Sequence, residues 1–307
     1  MKTYSRRDAA KLISLGAAGI VVFPPIVSFK ANDIMKRKIP SSGELLPVIG
    51  LGTWQTFDVG NDVDKRKPLL EVLRKMNELG GIMIDSSPMY GTSEAVVGDL
   101  TSSLKLENDY FYATKVWIQG KQQGIDQMNA SFRKMKRTNM DLMQIHNLVD
   151  WQTHSKTLRD WKEKGKIRYW GLTHYTIGSH QTLAKLIKSE KPDFVQFNYS
   201  IIERNAERQL LNIAHDHGVA VIINRPYDGG SLFRKTRGKS LPDWCSELDI
   251  DSWGQFFLKY IVAHKAVSCV IPGTAKPHHV VDNLKAGYGR FPDDKQRERM
   301  VDYLRAL

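Results

Sequence analysis

Cysteine is nearly absent from this 307-residue chain, which has Cys245 and Cys269 alone. Cys269 lies inside the apolar run Val-Ser-Cys-Val-Ile, where a buried free thiol is expected. Metal-ligand spacing is missing too: His215, His217, His278 and His279 have no thiol or carboxylate partners at a recognisable interval, so no metal centre is expected. No GxGxxG follows the first apolar run, which weighs against a doubly wound dinucleotide-binding sheet. No low-complexity linker divides the chain after its N-terminal segment. The net charge of +12 is spread along mixed Lys/Arg/Glu stretches without an RNA- or DNA-binding signature, so no nucleic-acid partner is expected. One denser cluster, Arg234, Lys235, Arg237 and Lys239, reads equally as a phosphate-contacting rim loop or a solvated one.

What is present is a rhythm. Short apolar runs recur about once every thirty residues, the length of one strand, one helix and two loops. They end in Gly52-Thr53-Trp54, Asp85, Lys115, His146, Thr173-His174, Gln196-Phe197-Asn198, Asn224-Arg225-Pro226 and Pro272-Gly273-Thr274. Between them lie stretches with helical spacing, such as Leu69, Leu70, Leu73, Met76 and Leu79, or Leu210, Leu211, Ile213 and Ala214 closed by Gly218. Eight strand-helix pairs in about 270 residues predict a single (β/α)8 TIM barrel over residues 32–307. A composition of 41% hydrophobic and 25% charged residues fits one well-cored domain.

Strand ends converge on one rim of such a barrel, so Asp85, Tyr90, Lys115 and His146 should meet there. Each alone has a plain structural explanation, as a turn cap, a packed ring, a snorkelling amine or a rim histidine. Together they form a proton-transfer set. A carbonyl that accepts hydride develops negative charge on oxygen and needs a proton donor and an electrostatic partner. A phenol with an ordinary pKa of about 10 is a weak acid at neutrality, and an adjacent ammonium is expected to lower it. Asp85 would hold Lys115 charged, and His146 would orient the carbonyl oxygen beside Tyr90.

The first thirty residues belong to a different argument. Ser5-Arg6-Arg7-Asp8, then Lys11 and the modest apolar stretch Leu12–Val22, have the layout of an export signal. The arginine pair resembles a twin-arginine signal, with Ala9 and Ala10 in place of the usual bulky apolar pair. Residues 1–31 are therefore expected to be an export signal and linker. The protein would meet the twin-arginine export machinery and reach a bacterial periplasm. No clean A-x-A cleavage site follows, so an uncleaved signal would be its only tie to a membrane.

From about residue 43 to 287 the chain resembles the aldo-keto reductases. The resemblance rests on Gly50-Leu51-Gly52-Thr53-Trp54, Asp85 through Tyr90-Gly91, Ser93-Glu94, Thr114-Lys115, Asp141-Leu142 with His146, Gly165-Lys166-Ile167-Arg168, Gln196-Phe197-Asn198, Ile271-Pro272-Gly273-Thr274 and Asp282-Asn283. It implies hydride transfer from a nicotinamide cofactor to a small-molecule carbonyl (aldehyde, ketone or sugar), with Asp85, Tyr90, Lys115 and His146 as the catalytic tetrad and Tyr90 as general acid. It also implies a cofactor held by Gly52, Thr53, Trp54, Thr173, His174, Gln196, Asn224, Pro226, Thr274, Lys276, His279 and Asn283, with NADP(H) favoured over NAD(H). Departures from the family fall on this side. Asn224 stands where a ring usually stacks on the nicotinamide, Thr173-His174 replaces a Ser-Asn pair, and Gly273 and His279 replace the usual basic clamp on the 2′-phosphate. Lys276 and Thr274 remain as substitutes, and His279 can contribute only when protonated. The alternative is an exported carbonyl- or sugar-binding barrel, or an interaction scaffold, with an eroded cofactor site. Trp54, Trp117, Trp151 and Tyr227 are candidates for aromatic substrate walls.

Overall fold

The computed structural model describes residues 34–307; the twin-arginine segment and the boundary at residue 31 lie outside them. The chain enters through an antiparallel hairpin, β1 (Lys36–Lys38) and β2 (Leu45–Pro47). Eight parallel strands follow, each hydrogen-bonded to the next in chain order: β3 (Leu51–Gly52), β4 (Met83–Asp85), β5 (Phe111–Val116), β6 (Met140–His146), β7 (Ile167–Thr173), β8 (Phe194–Asn198), β9 (Ala220–Asn224) and β10 (Val267–Val270). Parallel bridges Ile49 to Val270 and Gly52 to Gly273 bring the last strand back to the first. The Gly50 N–H donates to Val270 O at 2.8 Å, and the reverse bond runs from the Val270 N–H to Val48 O at 2.9 Å. Gly52 is required at this seam, because a Cβ there would sit 2.8 Å from the carbonyl oxygen of Ile271. All eight apolar runs are strands, and the architecture is the (β/α)8 barrel that their spacing predicts.

The amphipathic stretches form the surrounding helices. α1 (Val63–Glu78) buries Leu69, Val72, Leu73 and Met76 on one face, and Asp62 caps it by accepting from the Asp64 and Lys65 amides. The helix Leu210–Asp216 buries Leu210, Leu211 and Ala214 and stops before Gly218, whose φ is +65°. Among the described residues, no helix is long and apolar enough to cross a membrane.

The barrel interior is dry at one end and polar at the other. Met83, Phe111, Leu142, Tyr169, Phe194, Ile222, Cys269 and Ile271 form one buried apolar cluster, with the Phe111, Tyr169 and Phe194 rings 5.5–6.0 Å apart. Ile39 and Leu46 of the hairpin plug that end. The hairpin has no counterpart among the eight runs because its strands are short and one is fully basic, Lys36-Arg37-Lys38. Arg37 fixes it by donating to the carbonyls of Val262 at 2.7 Å, His264 at 2.5 Å and Val267. Burial of each large apolar side chain stabilises by roughly 1.5–3 kcal/mol. With the bottom sealed this way, polar side chains inside the barrel can gather only at the C-terminal ends of the strands.

Candidate active site

Asp85 ends β4 and Lys115 lies one residue short of the end of β5. Both are withdrawn from solvent, Lys115 completely, and Lys115 Nζ donates to Asp85 Oδ2 at 2.6 Å and to Ser86 O at 2.7 Å. The second carboxylate oxygen, Oδ1, accepts from Gln144 Nε2 at 2.9 Å and Gln196 Nε2 at 3.0 Å, and Gln196 Nε2 also reaches Gln144 Oε1 at 3.1 Å. A buried carboxylate tolerates its charge only with such partners. Burial by itself would depress Lys115, but Asp85 and then Tyr90 outweigh it and raise its pKa, so the ammonium is charged.

Tyr90 leans over this pair. Lys115 Nζ sits 5.0 Å from the centre of its ring. The sequence predicts that the ammonium lowers the phenol. Instead burial comes first and pushes Tyr90 up, with Lys115 pulling the other way and Asp85 adding to the rise. The reason is that burial penalises the phenolate by more than the ammonium favours it, and Asp85, in hydrogen-bond contact with Lys115, offsets part of the ammonium's field. Tyr90 is therefore protonated at neutral pH. Its loop is tightly built: Gly91 has φ +59°, and a Cβ there would meet the Asp58 carboxylate at 2.3 Å. Asp58 Oδ1 in turn accepts from the amide and the hydroxyl of Thr92, each at 2.8 Å.

His146 ends β6, with its ring perpendicular to that of Tyr90 at 5.9 Å and 6.3 Å from Trp117. Burial, then Lys115 and His174, push its pKa down to about 2, so the imidazole is neutral. Its Nδ1 lies 3.0 Å from the hydroxyl of buried Ser87. The backbone just beyond is left-handed at Asn147, Leu148 and Asp150, with φ between 47° and 58°. Such residues cost of order 1–3 kcal/mol each and concentrate at functional sites.

The four residues that the sequence brings to the rim thus do meet. Gln144, Ser86 and Ser87 join them and have no counterpart in the sequence reading. Gln144 carries a findable signal: it is a polar residue two positions before His146, hence on the same face of an otherwise apolar strand.

The residues expected to hold a cofactor divide into groups. Thr53 is buried, with Oγ1 3.0 Å from Asp85 O and from Ser86 Oγ, so it braces the tetrad's backbone. Gly52 serves the barrel seam, and Trp54 stands half exposed beside it. At the ends of β7 to β9, Gln196 Oε1 accepts from Thr173 Oγ1 at 3.2 Å and Asn224 Nδ2 at 3.3 Å. Asn224 Oδ1 is buried without a hydrogen-bond partner among the described residues. His174 is half-buried, its Nδ1 accepting from the Tyr175 and Thr176 amides, and Pro226 is buried. Farther round the rim, Thr274 Oγ1 accepts from the Lys276 amide at 3.1 Å, while Lys276 and His279 are exposed at the start of the helix Pro277–Lys285. Asn283 in that helix accepts from Tyr227 OH at 2.6 Å. Tyr227 is committed there, packed 4.7 Å from Phe233, and Trp151 also packs on the core, so of the four aromatic candidates Trp54 and Trp117 are the ones that present half their surface to solvent. The basic side chains Arg234, Lys235, Arg237 and Lys239 are all exposed.

Comparison with known proteins gives the family. The chain is 28% identical to methylglyoxal reductase YeaE of Escherichia coli over 258 residues, covering 81% of this chain and 89% of the relative. It is 24% identical to methylglyoxal reductase DkgB of Salmonella typhi, covering 85% and 87% of the two chains. The fold superposes on the crystal structure of an aldo/keto reductase from Klebsiella pneumoniae in complex with NADP and acetate, with a TM-score of 0.73, 23% identity, and 85% and 93% of the two chains covered. Residues 48–299 match the pattern of the Aldo/keto reductase family, and the chain belongs to that family of NAD(P)-dependent oxidoreductases.

Proposed function

We propose that this protein reduces a small aldehyde or ketone with NADPH, with Tyr90 as general acid, and that it does so after export. The observation that carries the reading is the buried Asp85–Lys115 pair set beneath a protonated Tyr90 and a neutral His146. A bound reduced nicotinamide supplies the hydride. As negative charge develops on the carbonyl oxygen, the Tyr90 hydroxyl gives up its proton to that oxygen. Lys115, held charged by Asp85, then faces the phenolate so formed and stabilises it. His146 donates a hydrogen bond that orients the carbonyl, and Gln144 and Gln196 hold Asp85 in place by filling its second oxygen.

The cofactor side fits in part. The buried, unpartnered Asn224 Oδ1 is an acceptor that a carboxamide N–H would satisfy, next to Thr173 and Gln196. Lys276 and His279 supply exposed basic groups for a 2′-phosphate. Gln196, however, has both ends of its amide engaged by protein. That favours the second reading, a barrel that binds carbonyl compounds without turnover, and the two readings part on NADPH binding. The names of the two relatives make methylglyoxal the first substrate to assay.

Wild-type protein should consume NADPH when methylglyoxal is added, and Tyr90→Phe should lose about 10²–10⁴-fold in kcat with nearly unchanged NADPH affinity. Normal turnover by the variant would remove Tyr90 from the mechanism, and failure of the wild type to bind NADPH would favour the second reading. Export is supported by the Arg6-Arg7 pair. Replacing both with Lys keeps the charge and removes the paired guanidiniums, and periplasmic accumulation should then fail. Unchanged accumulation would show the pair to be incidental.

A further inference from the structure

The geometry points to Ser87 as a positioning residue that fixes the tautomer of His146, with the hydrogen on Nε2. The inference rests on the carbonyl-reductase reading for its purpose, but the hydrogen-bond pattern stands without it.

The imidazole of His146 is neutral, so one of its nitrogens carries hydrogen and the other does not. Among the described residues its hydrogen bond runs from Nδ1 to Ser87 Oγ at 3.0 Å, and either atom can be the donor. The surroundings of Ser87 decide between them. Ser87 is fully buried, and its oxygen already accepts from the Met89 amide at 3.3 Å. If Nδ1 carried the hydrogen, the hydroxyl would accept from two N–H groups and its own hydrogen would point at no acceptor in a dry site. With the hydroxyl donating to Nδ1, Ser87 and Nδ1 are both satisfied: the oxygen accepts from Met89, the hydroxyl hydrogen goes to Nδ1, and the N–H falls on Nε2.

That assignment has a chemical consequence. A developing oxyanion needs donors, so an Nε2–H is useful to it, whereas a bare Nε2 lone pair would repel it. The rings of Tyr90 and Trp117 hold the imidazole plane, and Ser87 selects the tautomer within that plane. Ser87 is also joined to the acid itself, because its carbonyl accepts from the Tyr90 amide at 3.0 Å. One residue between Asp85 and Tyr90 therefore sets both the turn that carries the acid and the polarity of the group beside it.

Two-bond 1H–15N correlation spectra of full-length protein labelled with 15N-histidine read the tautomer directly, with the His146 signals assigned by their loss in His146→Gln. The wild type should show the pattern of an imidazole protonated on Nε2. Ser87→Ala should show a mixture of both tautomers, and Ser87→Thr, which retains the hydroxyl, should restore the single pattern. In steady-state assays Ser87→Ala should lower kcat about tenfold or more, with KM changed less. An Nδ1-protonated His146 in the wild type overturns the inference, and so does an unchanged Nε2–H pattern in Ser87→Ala. Absence of turnover by the wild type would instead sink the reductase reading, while the spectra would still decide the tautomer.

Discussion

The Asp85–Lys115 and Glu207–Arg297 pairs are both withdrawn ion pairs with the same 2.6 Å separation, yet they are built for different ends. Glu207 lies on the short helix Asn205–Arg208 and Arg297 on the C-terminal helix Asp294–Ala306. Its carboxylate accepts from Tyr199 OH at 2.5 Å, Tyr260 OH at 2.7 Å, Arg297 at 2.6 Å and Arg204 Nε at 2.8 Å. Arg297 also donates to Tyr199 OH and lies over the Tyr260 ring at 4.6 Å. Both the carboxylate and the two phenol hydroxyls in that node have protein partners. It joins the C-terminal helix to the barrel wall, and nothing in it is left over for a ligand. The Asp85 network is equally well satisfied at its base, but its upper edge carries a protonated phenol, a neutral imidazole and an unpartnered Asn224 Oδ1. A saturated ionic network stabilises, whereas one saturated on a single side can react on the other.

Substitutions that remove one partner from each network sharpen this contrast. Lys115→Met should have the largest effect, lowering kcat by about 10²–10³-fold and, because it leaves Asp85 charged and buried, costing about 3–5 kcal/mol of stability. Steady-state kinetics with guanidinium unfolding checks both parts, and an active variant would break the assignment of Lys115. Glu207→Gln should cost about 1.5–3 kcal/mol and leave turnover at neutral pH untouched, so a loss of activity in a folded variant would erase the distinction between the two nodes.

Acid separates the nodes further. Although burial opposes it, the tyrosine hydroxyls and arginines hold Glu207 down to about 2, from an ordinary 4.5. A carboxylate with a depressed pKa stabilises fully above its unfolded pKa and loses that contribution as pH falls toward its folded one. The melting temperature of the wild type should therefore fall more steeply between pH 4.5 and 2 than that of Glu207→Gln, as calorimetry across that range would record. Parallel curves would mean that Glu207 is not the acid-sensitive group.

The smallest effect belongs to the exposed rim. His279 is depressed below its ordinary 6.5 by partial burial, then by His278 and Lys276. It is thus neutral over most of the range from pH 6 to 8, where the sequence alone would have it switching. NADPH should bind more tightly only as pH falls below about 6.5, with NADH changing less. Titration calorimetry with both nucleotides would show this, and a strong preference for NADPH independent of pH would move the phosphate to other residues.

Much of this was written in the order of residues. The eight strands were legible because each apolar run is bounded by turn residues and separated by a helical repeat, and strand ends in a parallel barrel can point only to a common rim. That spacing alone places Asp85, Tyr90, Lys115 and His146 together. The hairpin at Lys36–Pro47 was not legible, since a basic tripeptide becomes a strand only when Leu45-Leu46-Pro47 pairs with it and the barrel floor receives it. The node around Glu207 was invisible for a related reason, with its members drawn from three helices and a loop.

Sequence by itself determined the barrel, its family and the four reactive side chains, because periodicity and strand-end chemistry are local properties of the chain. Tertiary structure decided the rest, because partners are assigned by distance and burial. It made Gln144 a support for Asp85 and turned Tyr227 inward to Asn283, while Trp117 was left facing His146. It also reversed the expected shift of Tyr90, since burial, which only the folded barrel imposes, outweighs the lysine, and the fold sets Asp85 2.6 Å from Lys115 to offset part of its field.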